Sequence, residues 1–145
     1  MAARLEYPPE EIINHIHEVI GKRSLPNGMF RYGGGGLENS SAIPGAVNEM
    51  LLQSHEGVLR LFPCWDRSAD ASFFGLRAYG AFVVRATLEN GEITARILSE
   101  KGGPLRIEKP GEGYAVYKNG AAVTLDSPVT VVDTAPGETL TVRKY

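Results

Sequence analysis

Hydrophobic residues recur with two different periods along this chain, and the change falls near Gly57. In the first part Ile12, Ile13, Ile16, Val19 and Ile20 recur at i, i+1, i+4, i+7 and i+8. That spacing predicts one apolar stripe on a helix. Pro8-Pro9-Glu10-Glu11 supplies a helix start, since proline is tolerated in the first turn and carboxylates suit the positive end of the helix dipole. Gly21 is placed to end this helix as a left-handed cap, and Leu25-Pro26-Asn27-Gly28 is turn chemistry. A second helix is predicted from a face of Ile43, Val47, Met50, Leu51 and Ser54, widened by Ala46 and Leu52. Ser40 or Ser41 is its expected cap, which puts Pro44 in the first turn, and Gly57 closes it.

After Gly57 the period drops to two. Val58 to Phe62 alternates until Pro63, and Trp65 to Ser72 reads as a polar loop. Leu76 to Leu88 is predicted as one strand, returning as Ile93, Ala95 and Ile97 through the hairpin turn Glu89-Asn90-Gly91-Glu92. Lys101-Gly102-Gly103-Pro104 turns the chain again. Short strands follow at Leu105 to Glu108, Tyr114 to Tyr117, Ala121 to Leu125, Pro128 to Val132 and Thr139 to Arg143, with turns at Lys118-Asn119-Gly120 and Pro136-Gly137. The pattern predicts an α+β chain in which residues 1–57 are a helical pair and residues 58–145 an antiparallel β-sandwich. Two apolar stripes exceed what a sandwich needs to cover one face. The stripes Ile12–Ile20 and Val47–Leu51 are therefore expected to be buried together, against the sandwich or against a second copy, or to belong to a larger helical layer.

Composition narrows the classes of function. The 145 residues fit one ordinary domain, about 43% apolar and 22% charged, so the chain reads as globular. The net charge is −2 and no block of like charge exceeds two residues. Neither nucleic acid nor a membrane is an expected partner, and no apolar run approaches the length that spans a bilayer. The N-terminal MAARLEYPPEEII shows no signal peptide; the compartment stays open, a secreted or periplasmic parent enzyme being compatible with it. Cys64, the single cysteine, excludes an internal disulfide and a cysteine-based zinc site and is expected to pack beside Trp65.

Candidate chemistry is sparse. His15 and His17 sit two apart on a helix, hence on different faces, and His55-Glu56 has no second histidine four residues away. No metal and no cofactor is expected, and neither a GxSxG elbow nor a phosphate loop is present. The remaining candidate is YGGGGLENSS, Tyr32 to Ser41. Four glycines favour unusual dihedrals or a close neighbour, and they deliver Glu38-Asn39 to the mouth of a helix. A carboxylate there caps the helix and answers its dipole, or orients water and binds sugar hydroxyls.

GAVNEMLLQSHEGVLRLFPCW, Gly45 to Trp65, followed by LRAYGAFVV, Leu76 to Val84, resembles the C-terminal part of glycoside hydrolase family 95. The resemblance extends over most of Gly33 to about Gly103. It implies that residues 1–57 correspond to the last helices of an (α/α)6 barrel and residues 58–145 to the β-domain that follows it. Members are α-L-fucosidases and relatives acting on α-L-galactosides, which implies inverting hydrolysis. In them a glutamic acid protonates the leaving group, and asparagines held by an aspartate activate water. Glu38 occupies that aspartate's position and is implied as the catalytic-site residue, with Asn39 and Tyr32 as substrate contacts. The general acid and the paired asparagines lie upstream in the family, and nothing in this chain substitutes for them. Glu38 is also one methylene longer than the aspartate. The chain is thus expected to be inactive alone, with carbohydrate as ligand and an upstream barrel or a second copy as partner through the apolar helix faces. Glu49 and Glu56 are expected to make surface or capping contacts. The alternative is a non-catalytic carbohydrate-binding or structural module, with Trp65, Tyr79, Tyr114 and Tyr117 as the aromatics available to a sugar.

Overall fold

The computed structural model describes residues 2–5, 7–31 and 37–145, leaving out the side chains of residues 37–39. A single 3-10 turn at Ala2–Leu5 precedes helix α1, Pro9–Arg23, and helix α2, Leu37–Leu51. Ten strands follow: β1 Leu52–Gln53, β2 Arg60–Leu61, β3 Ala71–Ala78, β4 Phe82–Glu89, β5 Glu92–Ser99, β6 Gly103–Glu108, β7 Tyr114–Lys118, β8 Ala121–Thr124, β9 Val129–Thr134 and β10 Glu138–Lys144. The α+β class expected from the sequence is what the structure has.

Both helix ends differ from expectation. α1 runs through Gly21 to Arg23 and stops at Ser24, whose extended backbone breaks the helix while its N–H still reaches Ile20 O. Gly21 is an interior helical residue, and Lys22 and Arg23 in the last turn suit the negative end of the dipole. α2 begins at Leu37, ahead of Ser40 and Ser41, so Pro44 stands inside the helix and not in its first turn. It ends at Leu51, six residues before Gly57, because Phe62 N–H and Cys64 N–H bond the carbonyls of Leu51 and Met50 and draw the chain into β1. Gly57, with φ 71°, serves the turn from β1 to β2 instead.

The long strand expected over Leu76 to Leu88 is in fact a hairpin. β3 starts inside the expected loop, and Tyr79, Gly80 (φ 85°) and Ala81 (φ 61°) turn it into β4. The Asn90-Gly91 turn forms as predicted, both residues at positive φ, pairing Glu89 with Glu92 and fixing the register back to Phe82 opposite Ser99. Asn119-Gly120 does the same for β7 and β8.

The main sheet has six strands in the order β3-β4-β5-β10-β7-β8, every pairing antiparallel. A second layer is the two-stranded β6-β9, joined to the seam by a parallel bridge between Leu59 and Ile107. Val84, Leu88, Ile93, Ile97, Leu140 and Val142 from the large sheet form one core with Leu105, Ile107 and Val132 from the small one. On β5 burial alternates strictly, as the sequence pattern requires.

Candidate functional site

Tyr32 and the glycine run lie outside the described residues. Glu38 and Asn39 belong to the first turn of α2, but their side chains are likewise outside the described residues. Because α2 begins at Leu37, Glu38 and Asn39 are helical residues and not residues ahead of a Ser40 or Ser41 cap. The approach to this helix start is built by a backbone loop. Leu25 N–H bonds Met29 O at 2.7 Å, Gly28 N–H bonds Leu25 O at 2.9 Å, and Arg31 N–H returns to Arg23 O at 2.7 Å. Ser40 Oγ, one turn into α2, lies 3.7 Å from Met29 Sδ, so this loop rests against the start of α2.

At the opposite end of α2 lies the run EMLLQSHEG, and two of its polar side chains, Glu49 and Gln53, face the N-terminal turn. Arg4 grips Glu49 with both forks of the guanidinium, Nε to Oε2 at 2.8 Å and Nη2 to Oε1. Gln53 is buried, and its Nε2 donates to Ala3 O at 3.0 Å and Glu49 O at 2.9 Å. Behind them Met50 packs with Ala3, Ile12 and Cys64, while Leu51, Leu52, Leu59, Leu61 and Phe62 enter the sandwich core. The motif is therefore a hinge-pin between helix and sheet, with one row of side chains in each.

The acids of this run are tied to cations. The hydrogen bond from Arg4 holds the Glu49 carboxyl below the usual range, against the opposing effect of burial. Arg60 reaches Glu56 at 2.6 Å through Nη2 and Glu108 at 2.7 Å through Nε, and its hydrogen bond likewise lowers Glu56. Carboxylates stabilised in the charged form are poor proton donors. Both make surface ion pairs, as expected of them.

Among the described residues no group of three His, Cys, Asp or Glu is placed to hold a metal, and no helix is long and apolar enough to cross a membrane. His15 makes a 3.6 Å contact with Glu18 on an exposed face. Cys64 is buried, as expected, with Trp65 packed on the same cluster.

The four aromatics do not form a platform. Tyr114 is buried with its hydroxyl accepting from Ile93 N–H at 2.8 Å. Trp65 packs into the core and bonds Ala69 O. Tyr117 lies on the large sheet under the Arg143 guanidinium, 4.5 Å away, and Tyr79 is exposed at the β3–β4 turn.

The sequence reading passed over the outer face of the large sheet. There Arg85 and Arg96 stand directly opposite each other on β4 and β5, both exposed. Their positions were legible in principle, because a two-residue turn at Asn90-Gly91 pairs them by counting outward from it.

No family model matches the chain, and no curated protein is similar to it. Among solved structures, it is similar to part of a candidate alpha-galactosidase/melibiase from Bacteroides fragilis, at 25% identity over 57% of this chain, TM-score 0.35. It is also similar to part of a family 127 β-L-arabinofuranosidase from Geobacillus stearothermophilus, at 12% identity over 74% of this chain, TM-score 0.41. The chain spans 19% of the length of each.

Proposed function

We propose that this chain is the C-terminal portion of a family 95-like glycoside hydrolase acting on α-linked fucose- or galactose-type sugars, and that it is inactive alone. The observation that carries the reading is the place of the resembling run. Gly45 to Trp65 spans the end of α2, the β1–β2 turn and the entry to the sandwich, and its apolar side chains fill both hydrophobic clusters. A run so committed to joining a helix to a β-domain is where a barrel-to-sandwich junction would need it. On this reading Glu38 orients the water-activating amides supplied by an upstream barrel, Asn39 and Tyr32 border the sugar, and the barrel packs on the helix pair. One carboxylate cannot both protonate a leaving group and activate water.

The test is complementation. A family 95 α-L-fucosidase truncated before its last barrel helices is mixed with this chain and assayed on an aryl α-L-fucoside and an aryl α-L-galactoside. Expected are no hydrolysis by the chain alone, recovery in the mixture, and loss of recovery with Glu38→Ala. Hydrolysis by the isolated chain overturns the claim of inactivity, and a mixture that neither associates nor recovers activity overturns the family reading.

A further inference from the structure

The outer face of the six-stranded sheet carries an arrangement that folding does not explain. Arg85 and Arg96 are direct cross-strand partners, and like charges placed so oppose folding. Both are exposed, and neither side chain has a hydrogen bond or ion pair with any described residue. Elsewhere on the molecule Arg4, Arg60 and Arg77 are each matched to a carboxylate. The nearest acids along β4 and β5 on this side, Glu89, Glu92 and Glu100, stand four residues from the pair, about 13 Å away, and Glu100 is bonded to Arg77. That is beyond the screening length of roughly 8 Å in physiological salt. Glu92 is in any case taken by Lys144 at 2.8 Å.

Hydroxyl groups and an exposed aromatic ring surround the pair. A hollow of about 660 Å³ opens over it, walled by Thr87, Thr94, Thr139 and Thr141. At one side the β3–β4 register slips between Phe73 and Leu76, a bulge that sets Phe74 and Gly75 opposite Arg85. Phe73 turns inward onto Phe62, with ring centroids 5.4 Å apart, and Phe74 is left 82% exposed at the edge of the hollow. Bulges of this kind re-aim side chains next to binding sites.

We propose that this face binds an anionic glycan. The two guanidinium forks take a carboxylate or sulfate group, the threonine hydroxyls meet ring hydroxyls, and Phe74 lies against the apolar face of a pyranose. A polypeptide strand would add to a sheet edge and not lie across its face, and a net charge of −2 does not favour nucleic acid. The site uses neither Glu38 nor the helices, so it stands or falls separately from the function proposed above.

The full chain is titrated by calorimetry with oligogalacturonate, with a sulfated galactan oligosaccharide, with a neutral galactan oligosaccharide, and with an oligonucleotide of matched charge. Binding of one or both acidic glycans is expected, falling with salt and absent for the neutral one. The carboxylate and sulfate arms identify the group recognised. Arg85→Gln and Arg96→Gln each weaken binding about tenfold or more, as loss of a charge-assisted hydrogen bond does, and Phe74→Ala weakens it several-fold. Arg96→Glu abolishes binding while raising Tm, because it converts the repulsive pair into an attractive one; this separates loss of a site from loss of the fold. Failure of both acidic glycans to bind, equal binding of the oligonucleotide, or insensitivity to the arginine variants overturns the proposal.

Discussion

At the scale of single residues, the N-terminal turn is held by two side chains that the sequence presented only as members of a run. Gln53 reads as one position in an apolar run, yet it is buried because its amide satisfies two main-chain carbonyls, one in the N-terminal turn and one in α2. Glu49 pairs with Arg4 across forty-five residues, a partner that no local spacing rule reveals. The pairing has a pH signature. The carboxyl of Glu49 is lowered in the folded chain, first by the hydrogen bond from Arg4. Its contribution is therefore present above the unfolded carboxylate value of about 4.3. It is lost as pH falls through the lower folded value. Arg4→Ala is expected to lower Tm by a small amount at pH 7, and the gap from the parent chain should close as pH drops below about 4. Parallel thermal scans from pH 7 to pH 3 check this. A gap that persists at pH 3 would mean that Arg4 acts by packing and not by its charge.

Elements were legible where a period or a turn signal was strong and illegible where tertiary bonds overrode local chemistry. The Asn90-Gly91 and Asn119-Gly120 hairpins could be placed to the residue because both demand positive φ and few residue types provide it. The Tyr79-Gly80-Ala81 turn was hidden because Ala81 holds φ 61° without any sequence sign, and LRAYGAFVV then reads as one apolar run. A Cβ on Gly80 would come within 2.8 Å of the Phe82 ring, so the glycine is required there for space as well as for its φ. The start of α2 is the larger discrepancy. Starting at Leu37, the helix has no N–H at Pro44 to bond the Ser40 carbonyl. Starting at Ala42 behind a Ser41 cap, one of the two caps the capping chemistry suggested, Pro44 would be the third helical residue, whose N–H has no intrahelical partner to lose. Pro44→Ala distinguishes the two. The longer helix predicts a gain of about 1–3 kcal/mol in urea unfolding, and the shorter one predicts almost none. Glu38 was singled out as a candidate by its place between a glycine run and a helix, and then by resemblance; the glycines and serines around it carry no periodic signal to place a side chain.

At the scale of the molecule, the two helix stripes have not found the same fate. Met50 and Leu51 are buried, whereas α1 contributes only Ile12 fully, with Ile13 and Ile16 partly covered and Ile20 40% exposed. Within the chain itself the stripes are covered together at the seam end, whereas the rest of α1 packs chiefly on the short N-terminal turn. Between the helices lies an open groove of about 830 Å³ lined by Tyr7, Ile16, Val19, Ile43 and Ala46. An apolar surface of this kind has a cost in water that a partner removes. If the proposed barrel is that partner, then Val19→Asp with Ile43→Asp should leave the sandwich intact, since both sites are only partly buried and lie outside the main core. The double variant should retain the Tm of the sheet within a few degrees, bind less of a hydrophobic dye, and fail to restore activity to the truncated enzyme. Light scattering across a hundredfold concentration range settles the rival occupant: a dimer that the double variant converts to a monomer would assign the groove to a second copy. Restored activity in the double variant would show that the barrel approaches from elsewhere, and the groove would then lose its place in the proposed assembly.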